Sequence, residues 1–375
     1  MQSQPRLTPQ QLNGDLRRGG YILSGVIQGD TDAVLNAGQN WQVRAKSGSG
    51  FVDTAARIIF DGHVLALPDN LTVTRYSSTA QVRAGTMDAL LASGHLQDIG
   101  FTAQATPLND HQITGMTMAD IVQHIFERHC NAWYHSTTMP DGVITVADID
   151  TTNSVPLDRY NVDQSSNLWR SLQQIGGGEK KGEFYNVFFN RANKFFYQPA
   201  PAFWVSPPTS LGTIDKTHLR GSIRVRRNAN QPSQKVGQVN ITAVRDFDTV
   251  YTSTYPPHAS GPGEGRILPP RDGIFANSQL KTDTLAERLY KWLTRAYTLT
   301  IEVDPALILF GDDGNGLDLS DKITLDYDGA AEDAVTGAGL HLNLSGDYFV
   351  YGVNVRFDTT KKTATGTLIL ESDPT

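Results

Sequence analysis

Between residues 21 and 106 apolar and polar positions alternate in short runs, YILSGVI, NWQVRA, AARIIF, LTVTRY, AQVRA and IGFTAQA, separated by Gly, Asp, Asn and Pro. Alternation with a period of two predicts strands with one buried face. Turn signals recur at roughly 8–12 residues, the interval of a sandwich or barrel. Crossover helices would need more chain, so antiparallel pairing is expected.

The period then changes. In MTMADIVQHIFERHC (116–130), Ile121, Val122, Ile125 and Phe126 share one helical face, and Thr117 with Asp120 has capping-box spacing. A strand-like VITVADI (143–149) follows. Next, SSNLWRSLQQIGGG predicts a second helix, with Ser165 or Ser166 as cap, Leu168, Leu172 and Ile175 as its stripe and Gly176 as terminator.

From residue 184 strands return as FYNVFFN, KFFYQ, GSIRVRR and VGQVNITAV, with Ile223 and Val225 alternating against Arg224 and Arg226. The proline and glycine of YPPHASGPGEGRILPPRDG (255–273) predict a long surface loop. A third helix, at about 282–297, places Leu285, Leu289, Trp292, Leu293 and Ala296 at helical spacing, with Thr282 or Asp283 near its start, and is expected to pack on a sheet. At the end ITLDYDG, then Tyr351, Val353, Val355 and Phe357, the polar DTTKKT and the run ATGTLIL predict a β-hairpin.

The fold class expected from this pattern is α+β, mainly β. Two β units, 1–110 and 183–375, flank an α/β connecting region at 111–182. A length of 375 residues supports more than one core, and 39% hydrophobic with 19% charged residues is a globular balance. The net charge of −7 gives no global attraction to nucleic acid or anionic lipid and favours protein partners. One cysteine, Cys130, excludes an intramolecular disulfide. The polar N-terminal MQSQPRLTPQQLNGDLRRGGY lacks the apolar core of a signal peptide, and no apolar run is long enough to span a bilayer, so no membrane anchor is expected.

Candidate chemistry is thin. His124, His129, Cys130 and His135 offer zinc-type donors, but a five-residue step separates the first two around a helix, unlike the i,i+4 pair of a metalloprotease. IGGGEKKGEFYN follows a helix instead of opening one, which reads as a helix end and turn, not a phosphate loop. DDGNGLDLSD (312–321) departs from the EF-hand pattern and reads as a solvated turn. Arg220, Arg224, Arg226 and Arg227 form the densest basic cluster, and alternation puts Arg224 and Arg226 on the wet face of a strand. Cys130 closes a helix, where the macrodipole disfavours a thiolate. Asp246, Asp248, Asp326 and Asp328 are carboxylates that only the fold can pair. No catalytic, cofactor-binding or metal residue is assigned, and the expectation is a protein that is not an enzyme.

Several segments together carry a resemblance. TMADIVQHIFERH follows the first β unit; SNLWRSLQQIGG precedes a long sheet; LAERLYKWLTRAYTLTIEVDPALILF runs from helix into strand; LDLSDKITLDY and YFVYGVNVRFDTTKKTATGTLIL supply a strand pair and final hairpin. In this order they resemble the phage tail hub proteins, found at the centre of contractile baseplates and long-tail tips, including the late-control and tail-protein relatives. The resemblance implies two tube-like antiparallel β domains per chain and three chains in a ring that adapts a six-fold tail tube to a trimeric tip. It implies a virion tail location after synthesis in the host cytoplasm. Implied partners are a tail tube or distal tail protein on one side, a tip, spike or fibre protein on the other, and DNA only in transit. The acidic net charge would permit a lumen lined by carboxylates, to which DNA would not adhere. The proline-rich KFFYQPAPAFWVSPPTSLG and YPPHASGPGEG depart from the family pattern.

Two other readings remain. A β-rich carbohydrate-binding or glycan-degrading protein would use Phe195, Phe196, Tyr197, Phe203 and Trp204 as stacking platforms. A nucleic-acid-binding module would use the strand from Arg220 to Arg227.

Overall fold

The structure, a computed structural model, describes residues 6–28, 40–45, 57–66, 71–73, 78–92, 100–103, 112–113, 117–125, 149–150, 159–161, 167–177, 185–200, 208–227, 236–244, 249–257, 266–268, 270–276, 278–295, 297–310, 316–328, 342–358, 360–361 and 363–373. The first stretch contains β1 (Arg6–Asp15), β2 (Gly20–Gln28), β3 (Asn40–Ala45), β4 (Arg57–Ala66), β5 (Leu71–Val73), β6 (Ser78–Gly85) and the short helix α1 (Met87–Leu91). The middle contains β7 (Gly100–Ala103), β8 (Gln112–Ile113), α2 (Met118–Ile125), β9 (Arg159–Asn161) and α3 (Leu168–Gly177). After it come β10 (Tyr185–Phe189), β11 (Phe195–Pro199), β12 (Thr213–Ile214), β13 (Leu219–Arg227), β14 (Val236–Val244), β15 (Val250–Tyr255), β16 (Arg266–Ile267) and β17 (Arg271–Phe275). The last part holds α4 (Gln279–Leu293), β18 (Tyr297–Val303), α5 (Pro305–Leu309), β19 (Lys322–Leu325), β20 (Gly346–Asp358) and β21 (Thr363–Ser372). The protein is α+β and mainly β, as expected.

One twelve-stranded sheet dominates, in the order β13-β18-β21-β20-β1-β2-β6-β4-β3, with β5 on β6 and β12 and β19 beside β20. Neighbours along that main path are antiparallel. Short parallel pairs occur elsewhere, β7 with β8, β12 with β19, and β14 with β16 and β17. β1 was not legible as a strand, since its sequence RLTPQQLNGD is mostly polar. It is ordered from outside, by β2 on one side and β20 on the other. Its Leu12 and the following Leu16 enter the core, while Asn13 and Asp15 stay exposed.

The final hairpin forms as expected from β20 and β21. Residues 348–353 of β20 are buried in succession, which alternation alone does not convey. Helix α2 carries the expected reciprocal cap: Thr117 Oγ1 accepts from Asp120 N at 3.2 Å, and Asp120 Oδ2 accepts from Thr117 N at 2.7 Å. Residues 126–130, the rest of the expected helix, lie outside the described residues, as does most of VITVADI. The cap of α3 is Asn167, whose Oδ1 accepts from Arg170 N, and not Ser165 or Ser166. The helix ends at the glycines as expected.

Helix α4 starts earlier than Thr282 or Asp283: Ser278 caps it by accepting from Lys281 N, and the Thr282 hydroxyl turns back to Ser278 O. Its buried line is Thr282, Ala286, Leu289 and Trp292, with Leu285 and Leu293 packed against the core. It lies on β14 and β15, as a helix expected to cover a sheet should. Trp292 then stacks on Tyr351 of the wide sheet, ring centroids 5.5 Å apart. The expected long loop at 255–273 is interrupted by β16 and β17, both parallel to β14. Backbone pairing with a ready-made strand outweighed the local proline and glycine signal.

The turn between β1 and β2 is where distant parts of the chain meet. Leu16 N donates to Tyr351 O, Phe189 N donates to Gly19 O, and Trp169 Nε1 donates to Arg18 O. On β2, Tyr21 N donates to Thr86 Oγ1, and Tyr21 Oη donates to Asp318 Oδ1 at 2.7 Å. Asp318 also faces the buried Arg191, whose guanidinium donates to Ile308 O. Burial first, and the Asp318 charge next, push the Tyr21 phenol well above its ordinary pKa, so it stays a donor. At the far edge of this junction Glu371 is buried and accepts from Arg295 Nε at 2.7 Å and from Thr298 Oγ1. Arg295 in turn lies over the Trp292 ring.

Two outcomes follow for stability. Gly19 has φ +88°, and a Cβ there would collide with the Trp169 ring. Gly19→Ala is expected to cost roughly 2 kcal/mol or more, read as a lower urea midpoint; an unchanged midpoint would show that the turn yields freely. Asp88, buried against Thr86 Oγ1 and 3.8 Å from Arg18 Nε, has its carboxyl pushed up to about 7, chiefly by burial and against the pull of Thr86 and Arg18. An unfolded chain titrates near 3.9, so between about pH 4 and 7 the folded state holds this proton more tightly. Its contribution is full below about pH 4 and lost as pH rises through about 7. Asp88→Asn is expected to remove from the stability profile a fall of as much as about 4 kcal/mol between about pH 4 and 8. Identical profiles for the two proteins would contradict this.

Candidate functional site

The wide sheet leaves one of its faces open, with exposed side chains on β6, β1, β20, β21, β18 and β13. Side chains directly opposite one another across paired strands share a face. One such row runs Arg83, Ser24, Gln11, Arg356 and Thr365 across β6, β2, β1, β20 and β21. A neighbouring row runs Ile22, Asn13, Asn354, Thr367 and Glu302 across β2, β1, β20, β21 and β18. Towards the β13 edge, Arg224 is opposite Thr300, itself opposite Ile369, and Arg226 is opposite Thr298. The opposite face carries Leu12, Leu23, Val82, Val353, Val355 and Leu368, joined on β18 by Leu299, Ile301 and Val303, all of them buried.

Arg83, Arg224, Arg226 and Arg356 are exposed, and none has an ion-pair partner among the described residues. The carboxylates on this face are Glu302 in the second row, Asp15 two residues beyond Asn13, and Asp358 two residues beyond Arg356, the last 3.7 Å from Lys361. Glu371, also on β21, is engaged by Arg295 and lies 3.5 Å from Arg17. The alternation expected for GSIRVRR is therefore observed, with Ile223 and Val225 half-buried and Arg224 and Arg226 out. Arg220 behaves differently: its Nη2 is 2.6 Å from Asp304 Oδ2. The Ala306 amide and then Arg220 hold the Asp304 carboxyl below its ordinary range. Nearby, Asp215 is lowered by the Thr217 hydroxyl and backbone amide and faces His218 Nδ1 at 2.9 Å. The side chain of Arg227 lies outside the described residues.

A second feature is an open depression of about 190 Å³ between one face of the β10–β11 hairpin and the segment before β19. Phe188 and Phe196, stacked with centroids 5.0 Å apart, form part of its wall, with Gln198, Leu211 and Ser320. Ser320 has φ +69°. The charges there are engaged: Asp318 by Tyr21 and Arg191, and Lys322 by Asp347 and Asp373 at 3.0 and 2.8 Å. Burial disfavours the Lys322 charge, but the two carboxylates outweigh it and raise the ammonium above its ordinary range.

Phe195 and Tyr197 are buried, with Tyr197 stacked on Tyr185, and Phe196 is packed against the core. Phe195 and Tyr197 thus pack inward, whereas the half-buried Phe196 also reaches the wall of the depression; Phe203 and Trp204 lie outside the described residues. His124 is placed on α2, while His129, Cys130 and His135 lie outside the described residues. Among the described residues no group of three or more His, Cys, Asp or Glu side chains is arranged to hold a metal. In the acidic loop, Asp318 and Asp321 serve the turn itself, Asp321 Oδ2 accepting from Asp318 N. Of IGGGEKKGEFYN, residues 175–177 end α3, Tyr185 and Asn186 begin β10, and the stretch between them lies outside the described residues. Asp326 is exposed, Asp328 bridges to Asn343, and Asp246 and Asp248 lie outside the described residues. No described helix is long and apolar enough to cross a membrane.

No protein-family model matches the sequence. A search of curated proteins likewise finds no match. Solved structures do match. A tail protein from Neisseria meningitidis MC58 is 12% identical and superposes with a TM-score of 0.59, over 98% of this chain and 93% of that one. The 43 kDa tail protein of prophage MuSo2 from Shewanella oneidensis is 12% identical with a TM-score of 0.60, over 98% of this chain and 95% of that one. At such identity the likeness is one of fold, and it runs through nearly the whole of all three chains: this protein has the phage tail-protein fold that the order of its segments resembles.

Proposed function

We propose that this protein is a structural component of a phage-type tail, the central hub of its tip or baseplate, and not an enzyme. The observation that carries the reading is the shared fold with two tail proteins over at least 93% of every chain compared. Three chains form a ring in which each contributes two tube-like β units, near 1–110 and 183–375, joined through 111–182. The ladder between β1 and β20 supports this arrangement, because it sets strands of both stretches side by side in one sheet. Such a ring adapts a six-fold tube to a three-fold tip and leaves a passage for DNA, with a tube or distal tail protein on one side and a tip, spike or fibre protein on the other. Its place is the virion tail, after synthesis in the host cytoplasm.

Light scattering on the purified protein, followed by negative-stain imaging, tests the ring. The expected result is a mass three times the 41.0 kDa of one chain and a particle with an open centre. A single-chain mass at every concentration, with no rings in the images, overturns the trimer.

A further inference from the structure

The charge of this chain is segregated. Its net charge is −7, yet the open face of the wide sheet carries four arginines with no ion-pair partner among the described residues, against the carboxylates of Asp15 and Glu302 and that of Asp358, which is paired with Lys361. We infer that this face is a sequence-independent contact surface for DNA phosphates, formed by Arg83, Arg356, Arg224 and Arg226. The inference rests on the hub reading for why DNA should meet the protein at all, but its test is independent of assembly.

Placement supports the assignment. Arg83 and Arg356 belong to one cross-strand row, separated by Ser24 and Gln11, so three strand intervals of about 4.8 Å set them about 14 Å apart. Arg224 and Arg226 stand on the edge strand at the other side of the same face. Between the arginines are hydroxyl and amide groups, among them Asn13, Asn354, Thr365 and Thr367. Arginine, hydroxyl and amide side chains are the groups that contact phosphate oxygens without reading sequence. Arginine also serves at protein interfaces, but the centres of those interfaces add buried aromatic or aliphatic anchors. These rows hold only Ile369 as a well-exposed large apolar residue.

The geometry also limits the strength of contact. Four cations dispersed over an open sheet face hold a polyanion loosely, through counterion release, and the attraction falls steeply as salt rises. A duplex moving across such a face would be guided without being stopped.

The test uses the full chain and a fluorescent duplex of random sequence, about three helical turns long, with affinity measured by anisotropy over a series of salt concentrations. Four phosphate contacts predict a slope of log K against log salt of about −3 to −4, and each arginine pair accounts for about half of it. Arg83→Gln with Arg356→Gln, and separately Arg224→Gln with Arg226→Gln, are expected to reduce the slope by about 2. Lys361→Gln, at the turn between β20 and β21, is expected to leave it unchanged. No binding at low salt, or equal losses from Lys361→Gln, overturns the inference. Preference for polyglutamate over DNA at equal charge also overturns it, in favour of an acidic protein partner. Rings whose arginine variants bind DNA like the parent refute this inference alone; a monomer whose variants lose the slope refutes the hub reading alone.

Discussion

The double pairing of β1 is the constraint on which the architecture depends. Remove it and the wide sheet falls into two pieces, β13-β18-β21-β20 and β2-β6-β4-β3, each with a new open edge. The strand has little intrinsic claim to its conformation, since Pro9 and Gly14 are poor strand residues and much of the remainder is polar. Its order comes from ladders on both sides and from Leu12 and Leu16 entering the core. The irregularity in register between Pro9 and Gln11 falls in its pairing with β2, where the proline cannot donate.

Below that sheet, polar groups do what apolar packing alone cannot, which is to fix one arrangement among several of similar burial. Tyr21 joins β2 to the segment before β19, Arg191 joins the β10–β11 turn to α5, and Glu371 joins β21 to the end of α4. Each is buried, and each has a partner of opposite polarity. Losing one partner would leave the other stranded in low dielectric, a larger penalty than the net worth of the bond. The same burial makes Asp88 an acid that resists ionisation.

Elements whose signal is local were legible in the sequence. The Thr117–Asp120 cap, the α4 stripe around Leu289 and Trp292, the β20–β21 hairpin and the wet arginines of β13 all follow from neighbours a few residues apart. Elements whose order is borrowed were not: β1 needs β20, and β16 and β17 need β14. Caps were missed by a few residues, because Asn167 and Ser278 compete with equally suitable polar neighbours and only the approach of the chain decides. The open face was half legible. Arg224 and Arg226 announced themselves by alternation, whereas the alignment of Arg83 with Arg356 depends on three registers between remote strands. Net charge is silent here for the same reason, since a total says nothing of how charges are sorted between faces.

The ladder between β1 and β20 also orders events in time. Gln11 and its partner Arg356 are separated by most of the sequence, so a ribosome exposes β1 long before it has made the strand that completes it. Until then β2 and β6 can assemble, but the nascent β1 has one free side, ready to pair with any extended segment nearby. Closure by β20 removes that exposed template only once the chain is nearly complete, so β1 stays open to mispairing between neighbouring copies until the last-made hairpin has formed.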